Sequence, residues 1–265
     1  MGEIHRATLS ALDFAAARLR QTAGANEYDV ALAGRVTGGT GTTFVTDVRV
    51  FNPSYTSRAV ALLELLPSGL AGNSSAVASR TVDIAPRGTA VLDDIAGAAG
   101  FNVTGTGAIR VTSASPVVVT SRIYGDLRSS GRGTSGQAAA AGARSSALRR
   151  GVIPQLSNRA GVAAGYRTNI GFFNPSTSTV YARFELRDTS GALIAESTPT
   201  LTPLQHRQNA IGDFFPGVDL SDRSDLTLSF DASAPIFVYG SVVDNTSDDP
   251  VFVAAQEDVG VAASQ

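Results

Sequence analysis

The acidic segment at 244–249 is the part of this sequence whose residue types could hold a metal ion. It reads Asp-Asn-Thr-Ser-Asp-Asp, so Asp244, Asp248 and Asp249 bring three carboxylates close together in the chain. Calcium prefers oxygen ligands, and an acidic loop between strands can supply several of them. The spacing differs from that of an EF-hand loop, and polar hairpin tips use the same residue types. We therefore predict a hairpin tip at 244–249, with a calcium site as the alternative.

Histidine is the side chain most often used as a general base near neutral pH. The chain has only two histidines: His5 lies in the N-terminal tail, and His206 lies in the polar stretch 205–208. A Ser-His-Asp arrangement could be built only around His206. No Gly-x-Ser-x-Gly elbow is present to hold a nucleophile. The sequence therefore predicts no enzyme.

Two further patterns could suggest chemistry but have simpler interpretations. Asp93 and Asp94 form a pair of carboxylates, yet adjacent residues on a strand point to opposite faces and cannot share one substrate. The glycine-rich segment 38–43 lacks the lysine of a phosphate-binding loop, and no helical pattern follows it. We therefore predict no cofactor.

Tyr55 is the best single candidate for a ligand contact. Sugar sites use exposed aromatic rings beside polar groups, and this tyrosine follows an Asn-Pro turn. Tryptophan, the other common platform residue, is absent from the chain. A carbohydrate-binding role with Tyr55 in the site is therefore an alternative function.

The chain contains two copies of the sequence elements that would position these residues. The segment 44–54, which ends in Phe-Asn-Pro-Ser, reappears as 166–176 with the same ending. Further matches follow in the same order, including the apolar runs that begin at Pro116 and Pro235. Each unit is roughly 120 residues long, a normal size for a domain with its own core. We expect two tandem domains of one fold rather than a solenoid.

The Asn-Pro-Ser element occurs once per unit, at 52–54 and 174–176, and could be mistaken for a twin active site. Asparagine can satisfy backbone groups where a strand stops, and proline sets the φ angle of the following turn while removing a ladder donor. These are the properties of a structural corner. We predict that both copies end a strand and do no chemistry.

Alternation of polar and apolar residues indicates strands at 47–51, 108–112 and 225–230. Clusters of turn-forming residues separate such runs, and many short strands at this spacing favour an antiparallel sandwich. The more continuous runs 116–124 and 235–243 are typical of central strands, with proline at the first position. The sequence therefore predicts an all-β fold.

One helix is expected, near the N-terminus. Leu9, Leu12, Ala16 and Leu19 fall on one face of the segment 8–21, which predicts a short amphipathic helix packed against the first sandwich. The predicted division of the chain is an N-terminal helical segment at 1–27, a first sandwich at 28–141, a linker at 142–150 and a second sandwich at 151–265.

Composition excludes several classes of partner. The formal net charge of −2 and the isoelectric point of about 5.7 argue against nucleic acid, which requires a basic face. No apolar run approaches the roughly 20 residues of a membrane-spanning helix, and residues 1–25 lack the apolar core of a signal peptide. The absence of cysteine excludes disulfides and thiolate metal sites.

The pattern Thr-Asp/Asn-x-x-x-Phe-Asn-Pro-Ser, together with the stretch 235–254, resembles a known type of module. It is similar to the tandem β-sandwich repeats that occur, often C-terminally, in exported multidomain proteins of GC-rich bacteria. The resemblance covers about 28–256 and is better in the second unit, because Val45 stands in place of Arg167 in the first. It implies immunoglobulin-like sandwiches without a known catalytic centre, and it supplies no site residues.

These observations predict a non-catalytic module that lies in the cell envelope or outside the cell. Its two sandwiches would act as a spacer, an adhesion module or an accessory pair that contacts a protein or a surface glycan. The first alternative is the carbohydrate-binding module with Tyr55 in its site. The second is a self-assembling filament subunit or homo-oligomer that pairs through exposed sheet edges.

Overall fold

A computed structural model describes residues 26–38, 41–69, 78–128, 131, 133–139, 141–159 and 163–260. The helix predicted at 8–21 lies outside the described residues. Within them, the chain is all-β and mostly antiparallel, and it forms two nine-stranded sheets, one from each half of the chain. The all-β prediction is therefore confirmed.

The strands of the first half are β1 (Asn26–Thr37), β2 (Thr43–Phe51), β3 (Ala59–Pro67), β4 (Ala78–Ile84), β5 (Thr89–Leu92), β6 (Gly105–Ser113), β7 (Val118–Asp126), β8 (Thr134–Ala138) and β9 (Ala141–Ala143). The elements of the second half are β10 (Leu148–Asn158), β11 (Tyr166–Phe173), β12 (Val180–Arg187), β13 (Leu193–Ser197), β14 (Thr200–Leu201), β15 (His206–Ala210), α1 (Ile211–Phe214), β16 (Arg223–Asp244), β17 (Pro250–Ala254) and β18 (Gln256–Glu257).

The two halves share one pairing order. In the first, the strands run β4-β3-β6-β1-β9 in one layer and β5-β2-β7-β8 in the other. In the second, the layers are β13-β12-β16-β10-β18 and β15-β11-β16-β17. The neighbours correspond strand for strand, with β16 in the place of both β6 and β7. The duplication in the sequence thus extends to this pairing order, although the β1–β2 pair has no counterpart among the described strand pairs of the second half, and β13 and β14 both pair with β12 where β4 alone pairs with β3.

Strand β16 differs from the expectation of two separate strands at 225–230 and 235–243. It runs for 22 residues and serves both layers of its half. β16 pairs with β12 as far as Ala232, and its next paired residue is Ile236. Pro235 therefore lies where the strand changes partners. A missing N–H costs no ladder bond there, which is why proline is tolerated inside the strand. In the first half, Pro116 lies two residues before β7 rather than at its first position.

The segment 142–150, predicted as a flexible linker, is held by hydrogen bonds and ion pairs. Gly142 pairs with Asp29 of β1, a 3-10 turn follows at Arg144–Ser146, and β10 begins at Leu148. The segment thus carries regular structure, and the division of the chain at 142–150 stays a prediction. A Ser-, Gly- and Ala-rich composition resembles that of a linker, but small residues are also compatible with a short edge strand.

Each half has an apolar core between its two layers, and the core of the first half also includes Tyr239 of the second. In the second half, four phenylalanine rings pack with centroids 5.1–5.8 Å apart, in the range where aromatic pairs are favourable. These rings belong to Phe172, Phe184, Phe214 and Phe230. The short helix α1 contributes Phe214, so the helix serves the core. None of the described helices could cross a membrane, because none is both long and apolar enough.

Candidate functional site

A third apolar cluster joins the two halves, and we call this contact the seam. Leu66 and Ala108 of the first half pack against Phe173 and Leu204 of the second, and all four are at least nine-tenths buried. The Phe173 ring stacks on that of Phe237 with centroids 6.4 Å apart. The halves therefore meet through apolar side chains that are buried from solvent, and the hydrophobic effect favours this contact.

Backbone contacts reinforce the seam. Ser68, at the end of β3, forms a parallel bridge with His206 of β15, and the Gly69 N–H donates to the His206 carbonyl oxygen at 2.9 Å. The Arg110 guanidinium donates to the Pro175 carbonyl at 3.4 Å. The corner of the second half is therefore itself part of the contact with the first.

Three residues lie side by side across the seam face of the second half. The register aligns Tyr239 of β16 with Gly171 of β11, and Gly171 with Gln208 of β15. Because Gly171 has no side chain, the Tyr239 ring can lie across it. Its hydroxyl then lies 2.8 Å from Gln208 Oε1 and 2.9 Å from His206 Nε2. The glycine is what allows the tyrosine to reach two strands away.

The hydrogen bonds assign the protons of this group, which we call the tyrosine triad (His206, Gln208 and Tyr239). The Tyr239 hydroxyl donates to Gln208 Oε1, so His206 Nε2 carries a proton and donates to the tyrosine oxygen. His206 Nδ1 is then unprotonated, and it has no partner among the described residues. Burial lowers the pKa of His206 to about 3 and raises that of Tyr239 well above its usual value. The triad is neutral at pH 7.

The triad excludes the catalytic interpretation of His206 in this conformation. Both His206 and Tyr239 are fully buried, so a substrate in solution cannot reach the imidazole. A general base must be within hydrogen-bonding distance of the proton that it removes. The role that the contacts support is to fix the geometry of the seam.

His206 should give the protein a defined pH dependence. The unfolded chain binds a proton near pH 6.5 that the folded chain excludes down to about pH 3, so stability falls as the pH drops through this window. Between pH 7 and pH 4.5 we expect a loss of about 2.5 kcal/mol from this group. Urea unfolding at the two pH values should show that the wild type loses stability relative to His206→Gln by this amount, because the other titrating groups, Asp29 among them, act alike in both proteins.

The variant comparison also separates His206 from Asp29. Burial raises the pKa of Asp29 to about 6 although Arg144 and Arg110 lower it, so its effect has the opposite sign and is present in both proteins. If the variant does not fold, the ring-proton shift of His206 in the wild type is the second measurement. A titration midpoint near 6.5 in the folded protein would contradict the burial argument.

Asp29 belongs to a charged cluster beside the seam. Its side chain is fully buried, and its oxygens lie 3.5 Å from Arg144 Nε and 3.9 Å from Arg110 Nε. Arg144 also pairs with Glu27 at 2.6 Å. Because Arg144 lies in the predicted linker, this cluster ties the connection between the halves to β1.

A cleft of about 250 Å³ opens at the seam, and we call it the inter-half cleft. Leu32, Phe44 and Ile123 of the first half form its apolar side. The second half contributes polar side chains from the same face as the tyrosine triad. They are Arg167, Asn169, Gln208 and Ser241.

Gln137 of β8 is the most deeply buried amide that lines this cleft. Only 7% of its surface is exposed, and its Nε2 donates to Ser241 Oγ at 3.2 Å, which makes another bond across the seam. Its Oε1 has no partner among the described residues. A buried acceptor without a partner costs free energy, so this position favours a donor from outside the protein.

The predicted calcium residues lie at a hairpin tip between β16 and β17. Asp244 Oδ1 accepts the N–H groups of Ser247 at 2.7 Å and Thr246 at 2.8 Å, and these bonds lower the pKa of Asp244. Asp248 is buried and pairs with Arg167, whereas Asp249 is exposed. Nowhere in the described ranges do three His, Cys, Asp or Glu side chains converge as metal ligands. Asp244 therefore serves the turn and Asp248 pairs with a residue that lines the cleft, while the calcium alternative stays a prediction.

Tyr55 is 80% exposed, as a ligand platform requires. The Arg87 guanidinium lies 4.6 Å from the centre of its ring and 4.9 Å from that of Phe51. One face of the tyrosine is therefore covered by a cation–π contact. This surface is separate from the inter-half cleft, so the structure does not combine Tyr55 with the other candidate residues.

The Asn-Pro-Ser corners are structural, as their residue types predict. Asn52 and Asn174 are fully buried, and each Nδ2 donates to backbone carbonyls in its own unit. Each Oδ1 accepts a backbone N–H two residues later, from Ser54 or Ser176, at 3.0 Å. Sequence reasoning found these corners but missed the cleft, because its polar residues come from strands that are far apart in the chain.

Comparison with known proteins does not assign a family. No protein-family model and no curated protein matches this chain. Among solved structures, a chain described as "Crystal Structure of Thermotoga maritima 1070" matches at 9% sequence identity with a TM-score of 0.34. That alignment covers 44% of the present chain and 99% of the other. A likeness at this level carries no argument about function.

Proposed function

We propose that this protein is a non-catalytic structural or interaction module of the cell envelope or extracellular space. It consists of two immunoglobulin-like β-sandwiches and acts as a spacer, adhesion or accessory pair. The pairing β1-β6-β3 in one layer and β2-β7-β8 in the other supports this fold type, since strands B-E-D and C-F-G are neighbours in the same way in immunoglobulin domains.

The seam is the observation that carries this proposal. A pair of domains joined only by a linker moves freely, and small polar contacts between domains permit such motion. Here the contact combines a buried apolar cluster with the tyrosine triad and the Gln137–Ser241 bond. Such a pair holds its two outer ends at a fixed distance, which a spacer or adhesion module requires.

Nitrogen-15 relaxation of the intact chain tests the rigidity of the pair. We expect one rotational correlation time for both halves. Phe173→Ser should give the halves separate, shorter correlation times, because it removes the central apolar side chain of the seam. Val91→Ser is the matched control, since Val91 is 59% exposed on β5.

Two outcomes would reject the proposal. Independent tumbling of the halves in the wild type would remove the spacer role. Turnover on a broad hydrolase panel that is lost on changing His206 in a folded variant would show that the protein is an enzyme.

Carbohydrate binding is the second candidate, because Tyr55 presents an exposed ring that Arg87 holds in place. A glycan array should then show binding that Tyr55→Ala abolishes. Tyr181→Ala is the control, since Tyr181 is 65% exposed at a different site. An array without binding that depends on Tyr55 would exclude this role.

A further inference from the structure

We propose that the inter-half cleft binds a small uncharged molecule with an apolar body and a head group that both donates and accepts hydrogen bonds. A primary carboxamide and an alcohol are such head groups. This inference goes beyond the proposed structural role but rests on the same seam, because both halves line the cleft; a rigid pair of domains could still exist without a ligand.

Gln137 supplies the acceptor. Its side chain lines the cleft, is more than nine-tenths buried, and is held by the bond from Nε2 to Ser241 Oγ. That bond fixes the amide and leaves Oε1 without a partner. This oxygen is covered by neighbouring atoms, so a ligand N–H or O–H reaches it only when those atoms move aside. Because a buried carbonyl oxygen gains free energy from a donor, that bond is the chemistry that would complete the site.

Gln208 supplies the donor. Its Oε1 is engaged by the Tyr239 hydroxyl, so the part of this amide that a ligand can use is its Nε2–H group. The donor is positioned by the neutral tyrosine triad. A head group that offers one donor and one acceptor therefore matches the two glutamines.

The remaining walls determine the charge and size of the ligand. Arg167 is the charged residue that lines the cleft, and its guanidinium pairs with the buried carboxylate of Asp248. Because the cation is neutralised, the cleft has no net charge to attract an ion. Leu32 and Phe44 offer an apolar surface to the rest of the molecule. The volume of about 250 Å³ exceeds the roughly 150 Å³ of an engineered cavity that holds benzene.

Benzamide is the probe for this site, with toluene and benzoate as controls. Titrations of the labelled intact chain should show saturable chemical-shift changes for benzamide at the amides of Gln137, Asn169 and Ser241. Toluene lacks the polar head and forms neither hydrogen bond, and benzoate carries a charge and has no N–H to donate. Each should therefore bind at least three- to tenfold more weakly, as expected for the loss of at least one hydrogen bond. No saturable change at these amides, or equal affinity for benzamide and toluene, would overturn the proposal.

Gln137→Leu tests the acceptor directly. The variant keeps the apolar volume but removes the acceptor, so its affinity for benzamide should fall about three- to tenfold, as expected for one lost hydrogen bond, while its affinity for toluene stays unchanged. Undiminished benzamide affinity in a folded variant would overturn the assignment of Gln137. If the variant does not fold, the comparison of benzamide with toluene on the wild type decides the question. Relaxation measurements on the unliganded chain test the proposed function separately.

Discussion

Asn174→Asp should lower the free energy of unfolding by about 3 kcal/mol or more. The Asn174 Nδ2 donates to the carbonyl oxygens of Ser178, Thr202 and Leu201 at 2.8, 2.9 and 3.3 Å. A carboxylate can only accept, so it would face three oxygens in a fully buried position. Urea unfolding followed by far-ultraviolet circular dichroism measures the loss.

The chain offers a twin and a control for this substitution. Asn52→Asp should have a similar effect, because Asn52 donates to Ser57 and Ile84 carbonyls in the same way. Thr177→Ala changes an exposed residue of the same corner and should be close to neutral. A loss below about 1 kcal/mol in Asn174→Asp would show that the corner is not held by its asparagine.

Gly171→Ala should also destabilise the protein by about 3 kcal/mol, although it adds only one methyl group. The new carbon would lie 2.0 Å from Tyr239 Cζ and 2.3 Å from its hydroxyl oxygen. The ring cannot move aside without breaking its bonds to His206 and Gln208. Urea unfolding again measures the loss, and the relaxation experiment shows whether the seam has opened.

A double-mutant cycle identifies the cause of this loss. In a Tyr239→Ala background the same glycine substitution should cost much less, because the clashing ring is absent. Gly212→Ala is the control, since a methyl group there meets nothing within 4 Å and the residue lies in α1, where alanine is favoured. Equal costs in both backgrounds would contradict the proposed contact.

Part of the fold could be predicted because it depends on local chemistry. The strand at 47–51 follows from alternation, and the corner at Asn52 follows from the turn preferences of asparagine and proline. The continuity of β16 could not be predicted. A proline normally ends a β-ladder. Only the pairing of the residues on either side of Pro235 shows that no ladder hydrogen bond is needed there.

Much less of the candidate site could be predicted from the sequence. The sequence aligns Gln137 with Gln256, yet Gln137 lies buried on β8, whereas Gln256 lies exposed on β18, which corresponds to β9. His206 lies in a polar stretch that predicts an exposed residue, and the seam buries it completely. Residues without a counterpart in the other unit, of which His206 is one, were the available signal.

The sequence by itself determined a duplicated all-β chain with a structural asparagine at each corner, because strand periodicity and turn chemistry depend on near neighbours in the chain. Only the tertiary structure decided that the two copies meet at a seam, that Tyr239 lies across Gly171, and that a cleft forms beside them. Those features depend on residues far apart in the sequence. These residues are buried because one unit packs on the other, and no local sequence pattern predicts that packing.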